Sequence, residues 1–297
     1  MGEALATTPT DLLFVVDTSE SWSTREDRYL GLTEATSEFL EDHAEAHAFG
    51  ALMFPRSDDS GEICVAQGYE TVDYPFGVEP EVLSNALTAA AFQGQSTLGP
   101  ALAGALDAAR AHSARATVVL LTDATPGSDE TCEDWDEVAE ATGLGFDAGR
   151  GPRTHVISVI GSGGVLVSHF ERLGNIANSG GGYVAFVNGS QADVARSSRQ
   201  ALEDIRDLEL ECTFELPGGP APEALEVSFA TGERFYAPLV EGPDACSGAG
   251  YYVDDRADAR RAMLCRGANG NGGFCEVMVF KAREDGRPDV RTCATDG

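Results

Sequence analysis

Five side chains with hard oxygen donors stand in a fixed order along the first half of the chain. Asp17, Ser19 and Ser21 form D-T-S-E-S directly after the apolar run Leu12–Val16. Thr97 lies in G-Q-S-T-L-G-P, ahead of a helix-like stretch, and Asp123 in T-D-A-T-P after a second apolar run, Val118–Leu121. Carboxylate and hydroxyl oxygens are the ligands that hard divalent cations prefer. Two acids and three alcohols fall short of the roughly six oxygens that Mg²⁺ takes. A shell of that kind leaves excess positive charge and a position for an incoming carboxylate. The chemistry on offer is capture of an anionic group through a divalent cation, with Mg²⁺ the first choice and Mn²⁺ or Ca²⁺ the alternatives.

Such donors need strands to hold them. Leu12–Val16 is short and continuously apolar, as a parallel strand buried on both faces should be. Further strands are expected at Phe49–Phe54, Ile63–Ala66, Thr117–Leu121, His155–Ile160 and Tyr183–Val187. Helical spacing runs through Arg25–His47, Leu83–Ala91, Leu98–Ala109, Trp135–Ala141, Val165–Asn178 and Gln191–Arg206. Strands alternating with helices predict an α/β fold: a doubly wound, mostly parallel sheet with helices on both faces. In such sheets ligands gather outside the carboxyl ends of the strands, where Asp17 and Asp123 would fall. From residue 207 the pattern changes to strand-like pieces separated by Gly and Pro turns. We therefore expect one domain over residues 10–206 and a small antiparallel β module over residues 207–297.

The order D-x-S-x-S, then Thr, then Asp, on this alternation of elements, resembles the von Willebrand factor type A domain and its metal-ion-dependent adhesion site. The D-x-S-x-S is complete at residues 17–21, Thr97 sits in a G-x-x-T-L-G-P-A-L stretch, and L-L-T-D-A-T-P around Asp123 resembles T-D-G-x-P with Ala124 in place of glycine. The resemblance implies metal ligation by Asp17, Ser19, Ser21, Thr97 and Asp123, and a protein partner presenting an Asp or Glu carboxylate. Around that site, Glu20, Trp22 and Gly94 to Ser96 are expected as rim residues that shape selectivity. The tail, with Y-Y-V-D-D before Leu264-Cys265, is similar to the C-terminal part of secreted or lipid-anchored bacterial proteins carrying such a domain.

Composition narrows the classes. The chain has 297 residues, 20 basic against 49 acidic, and a formal net charge of −29. That balance argues against nucleic acid and against anionic membrane surfaces as partners. No apolar run reaches the ~18 residues of a membrane-spanning helix. No basic residues precede an apolar core at the start, so residues 1–20 are not expected to be a secretion signal. Seven cysteines include no C-x-x-C pair, and five follow residue 210. This clustering points to disulfides and an extracytoplasmic setting, secreted, periplasmic or lipid-anchored. Cys64 with Cys132 is the favoured pair, against two separate thiols.

Other groups receive plainer readings. The five histidines are expected in solvated or core roles, since His43 and His47 do not form H-E-x-x-H. The acidic run around Asp129–Asp136 is read as a solvated loop, with a second cation as the alternative. Asn188-Gly189-Ser190 fits both a glycosylation sequon and a turn. No G-x-S-x-G surrounds Ser19 or Ser21, and no histidine is placed as their base, so no enzyme activity is expected. The primary expectation is an adhesion or binding protein. The alternative is a cell-envelope scaffold whose C-terminal cysteine-rich module is the working part.

Overall fold

The computed structural model describes residues 10–56, 66–113, 116–123, 135–146, 151–160 and 167–209, together with 213–215, 225–229, 239, 241, 251–253, 261–264, 278–282 and 290–291. The chain packs as two compact units, one of Thr10–Asp147 with Gly151–Arg206, the other containing Asp207–Gly297.

The first unit is built on β1 (Leu12–Asp17), β2 (Phe49–Phe54), β3 (Thr117–Thr122), β4 (Thr154–Val159) and β5 (Val184–Val187). They form one parallel sheet in the order β2-β1-β3-β4-β5. The helices are α1 (Glu26–His43), α2 (Pro80–Thr88), α3 (Leu98–His112), α4 (Trp135–Phe146), α5 (Val167–Ser179) and α6 (Gln191–Glu209). Strand residues alternate between two cores, as the two-residue period of a strand dictates. Leu12, Phe14 and Val16 pack with residues of α1, α2 and α6. Leu13 and Val15 pack with residues of α3, α4 and α5. All six residues of β1 are buried, which explains why its sequence reads as an unbroken apolar run ending in an acid.

Several details depart from the sequence reading. Of the expected strand Ile63–Ala66, residues 63–65 lie outside the described residues, and Ala66 instead opens a 3-10 turn, Ala66–Tyr69. The outer edge of β2 is closed by an antiparallel bridge, in which Ala51 and Tyr74 exchange both backbone hydrogen bonds at 2.9 Å. The Asp73 carboxylate accepts from the Met53 amide at 2.8 Å. This short cover blunts an edge that would otherwise offer free backbone groups. Helix α6 runs on to Glu209, past the expected helix end at Arg206 and into the first residues of the span expected as the β module. Ser190 precedes α6, and its hydroxyl bonds the Asp193 carboxylate at 2.7 Å, a reciprocal cap that accounts for the Asn188–Ser190 turn.

The second unit contributes two three-stranded antiparallel sheets. β6 (Thr213–Glu215), β9 (Arg261–Leu264) and β8 (Tyr251–Val253) form one in the order β6-β9-β8. β7 (Leu225–Phe229), β10 (Met278–Ala282) and β11 (Val290–Arg291) form the other in the order β11-β10-β7. All seven cysteines, and the acidic run at 129–136 apart from Trp135 and Asp136, lie outside the described residues, so the disulfide and second-cation readings fall there too. Among the described residues no helix is long and apolar enough to cross a membrane.

Candidate metal centre

The strand order reverses its direction of growth at β1. The chain leaves β1 toward α1 on one face, and the next helix after β3, α4, lies on the other. A crevice forms at such a switch point, outside the carboxyl ends of the two strands. Asp17 ends β1, and Asp123 directly follows β3. Both acids are buried, each about 1% exposed. The register pairs Val16 with Leu121, so Asp17 comes level with Thr122. The Thr122 hydroxyl donates to Asp17 Oδ2 at 2.7 Å, and the Ser19 amide donates to Asp17 Oδ1 at 2.9 Å.

The D-x-S-x-S loop turns sharply after Asp17. The Thr18 amide and hydroxyl both donate to the Phe54 carbonyl, at 2.6 and 2.9 Å, tying the loop to the end of β2. Residues Glu20–Thr24 then form a 3-10 turn. The turn brings Ser19 Oγ within 2.8 Å of Ser21 Oγ, so the two hydroxyls share one spot. It also swings Trp22 inward. Trp22 is fully buried and packs edge-on against Tyr29, ring centroids 5.2 Å apart. The expectation of Trp22 as a rim residue is therefore corrected: the 3-10 turn points the indole into the core. Glu20 and Gly94 are exposed, whereas Ser96 is buried.

Thr97 enters from the loop ahead of α3, as the residue before the first helical turn. Two backbone hydrogen bonds at 3.0 Å, Gln93 N–H to the Thr18 carbonyl and Glu20 N–H to the Gly94 carbonyl, lash that loop to the D-x-S-x-S segment. Gly94 adopts a φ of 66°, a backbone conformation that favours glycine. The Thr97 hydroxyl itself is 2.6 Å from the Tyr69 hydroxyl. Tyr69 can sit there because Gly104 of α3 lets it approach: a Cβ on Gly104 would lie 2.6 Å from Tyr69 backbone atoms. The structure thus brings Asp17, Ser19, Ser21 and Asp123 to the mouth of the β1/β3 crevice and sets the Thr97 loop beside them.

Three participants escaped the sequence reading. Thr122 and Tyr69 hold oxygens of the donor set, and Arg25 places Nη1 2.8 Å from Asp123 Oδ2. Only Thr122 left a signal, since it precedes Asp123 on a strand that must neighbour β1.

The electrostatics fit a cation. Burial, and then the nearby Asp123 charge, push the Asp17 carboxyl up to about 7, while hydrogen bonds from Ser19 and Thr122 pull it back in part. Two acids kept together away from water, with adjacent hydroxyl oxygens, match a hard divalent ion. Among the described residues no three His, Cys, Asp or Glu side chains converge. A cation at this edge therefore relies on hydroxyls as well as on the acid pair. Four of the five histidines serve other ends: His43 bonds Glu203 at 3.0 Å, His47 bonds the Thr10 carbonyl at 2.7 Å, and His112 bonds Asp11 at 2.8 Å. His155 Nδ1 accepts from the Tyr183 amide at 3.0 Å.

No family model and no curated protein matches the sequence. Solved structures do. The pilus adhesin SpaC from Lactobacillus rhamnosus GG, in an open conformation, aligns over 98% of this chain with a TM-score of 0.52 and 14% identity. This chain spans 44% of the length of that adhesin. The SpRpn10 VWA domain aligns over 65% of this chain and 95% of its own, with 13% identity and a TM-score of 0.43. BatB from Bacteroides thetaiotaomicron aligns over 66% of this chain and 99% of its own, with 13% identity and a TM-score of 0.41. At such identities the likeness concerns the fold. The first unit is a doubly wound α/β domain, with a five-stranded parallel sheet, helices on both faces and an acid at the carboxyl end of β1.

Proposed function

We propose that this protein is a non-enzymatic binding protein that works outside the cytoplasm and captures a protein partner through a divalent cation. Asp17 and Asp123 supply the anionic oxygens, and Ser19, Ser21 and Thr97 the neutral ones. When bound, the cation supplies a Lewis-acidic centre for an Asp or Glu carboxylate of the partner. Mg²⁺ suits a small shell of hydroxyl and carboxylate oxygens, and Mn²⁺ or Ca²⁺ would be held by the same donors.

The observation that carries this reading is the buried acid pair at the β1/β3 crevice with the Ser19 and Ser21 hydroxyls 2.8 Å apart beside it. Burying two like charges is costly without compensation, and folds retain such an arrangement where it serves a ligand. The residues around the acids orient them and keep them dry. Thr122 and the Ser19 amide fix the Asp17 carboxylate, and the 3-10 turn fixes the serine pair. His43, His47, His112 and His155 are engaged elsewhere, which favours ligand capture over hydrolysis. The fold shared with a pilus adhesin is consistent with a surface role.

The test has two stages. Mn²⁺ binding is measured by calorimetry on the wild type and on D17A and D123A, with circular dichroism to confirm folding. Retention on arrays of Asp- and Glu-centred peptides is then compared in Mg²⁺ and in EDTA. We expect Mn²⁺ binding that both substitutions abolish, and retention that chelation removes. Peptide retention indifferent to EDTA would take the cation bridge out of the function.

A further inference from the structure

A positive charge already sits inside the acidic edge. Arg25 Nη1 lies 2.8 Å from Asp123 Oδ2 and 3.5 Å from the Asp123 carbonyl oxygen. The Asp123 side chain has no exposure, and the Arg25 side chain only 26%. Arg25 is not a long side chain that happens to fall on an acid. Its backbone closes the 3-10 turn, donating to the Trp22 carbonyl at 2.8 Å. Its carbonyl accepts from the Arg28 and Tyr29 amides, at 2.9 and 3.1 Å, as α1 begins. The same turn that pairs the Ser19 and Ser21 hydroxyls therefore fixes where the guanidinium starts.

We propose that Arg25 is the counter-charge of the cation site, neutralising Asp123 when no cation is bound and weakening cation binding when one is. This rests on the cation site proposed above. A buried carboxylate is costly to ionise, and an adjacent guanidinium offsets that cost when no cation is bound. The same guanidinium repels an arriving dication. Near a protein surface a unit charge at a few ångströms changes a binding constant by about tenfold or more. The consequence is a domain that survives emptying and holds its ion loosely enough for exchange, so that partner binding follows the cation supply. A purely positioning role for Arg25 predicts the opposite sign: loss of the side chain would misplace Asp123 and weaken the ion.

The experiment uses the full chain and the substitutions R25Q and R25K. Mn²⁺ affinity is read by calorimetry. Stability with EDTA or with Mg²⁺ is read by urea unfolding followed by tryptophan fluorescence. We expect R25Q to lower the unfolding midpoint in EDTA, to bind Mn²⁺ about tenfold more tightly, and to gain more from Mg²⁺ than the wild type does. R25K, which keeps the charge, should stay near the wild type on all three readings. A folded R25Q that binds Mn²⁺ equally or more weakly overturns the counter-charge role and leaves Arg25 as a strut. A wild type that takes up no Mn²⁺ fails at the earlier step, and removes the cation site together with this role.

Discussion

Replacing Asp17 with asparagine should stabilise the cation-free domain at pH 8. Asp17 is buried at the end of β1, and its carboxyl is raised from 3.8 to about 7. The unfolded chain therefore ionises this group near pH 4, whereas the folded chain resists until about 7. Between those values the folded state holds the extra proton, so stability falls as pH rises through the window. Three pH units at about 1.4 kcal/mol each put the full penalty on the order of 4 kcal/mol at pH 8, and near zero at pH 4. Asparagine has the same shape and no charge. Its oxygen can still accept from the Ser19 amide, and the Thr122 hydroxyl can turn to accept from its amide group. Urea unfolding in EDTA, followed by tryptophan fluorescence, is a suitable assay because both tryptophans, Trp22 and Trp135, belong to the α/β domain. With m-values of about 2–3 kcal/mol/M, D17N should raise the midpoint by roughly 1–2 M at pH 8, leave it almost unchanged at pH 4, and abolish the response to Mg²⁺. An unchanged or lowered midpoint at pH 8 would refute the claim that the fold carries an uncompensated acid there for the sake of a ligand.

The remaining predictions concern the same edge. Cation binding requires an ionised Asp17, so Mg²⁺ affinity should climb as pH rises toward 7 and level off above it; calorimetry at pH 6 in buffers of different ionisation enthalpy should show proton release. Y69F removes the hydroxyl that holds the Thr97 hydroxyl at 2.6 Å while keeping the buried ring, so Mn²⁺ affinity should drop about tenfold with only about 1 kcal/mol lost in stability. G104A places a methyl 2.6 Å from Tyr69 backbone atoms and should cost about 1–3 kcal/mol, measurable as a lowered unfolding midpoint.

How far the residue order disclosed this molecule depends on the range of the interaction. Local patterns carried well. The apolar run of β1, its terminal acid and the helix face Leu98–Ala109 all follow from one- and four-residue periods, and the structure places them as those periods require. The alternation of strands and helices was enough for the sheet, because the strands are short and β1, β3 and β4 are buried on both faces. What escaped depends on distance or on turn geometry. Arg25 meets Asp123 across 98 positions, and Tyr69 meets Thr97 across 28, so neither pairing leaves a local mark. Trp22 was misplaced because a polar loop reads as exposed until one knows that a 3-10 turn rotates every third residue inward. Ile63–Ala66 looked like a strand on apolar content alone, yet Ala66 belongs to the turn that delivers Tyr69. The edge of β2 is closed instead by Asp73 and Tyr74, a cover with no period to betray it.

Because each strand feeds two separate cores, the oxygen cluster has two independent foundations. The serine pair and Arg25 lean on Trp22, Tyr29 and the α1 layer. Thr97 and its tyrosine lean on Leu102, Ala105 and the α3 layer. The acids stand on the wall between them. Truncations such as Phe39→Ala and Leu102→Ala, on opposite sides of that wall, should therefore sum in their cost, each loosening a different half of the shell. Wear on one flank would spare the other, and a domain of this build can lose half of its grip before it loses its shape.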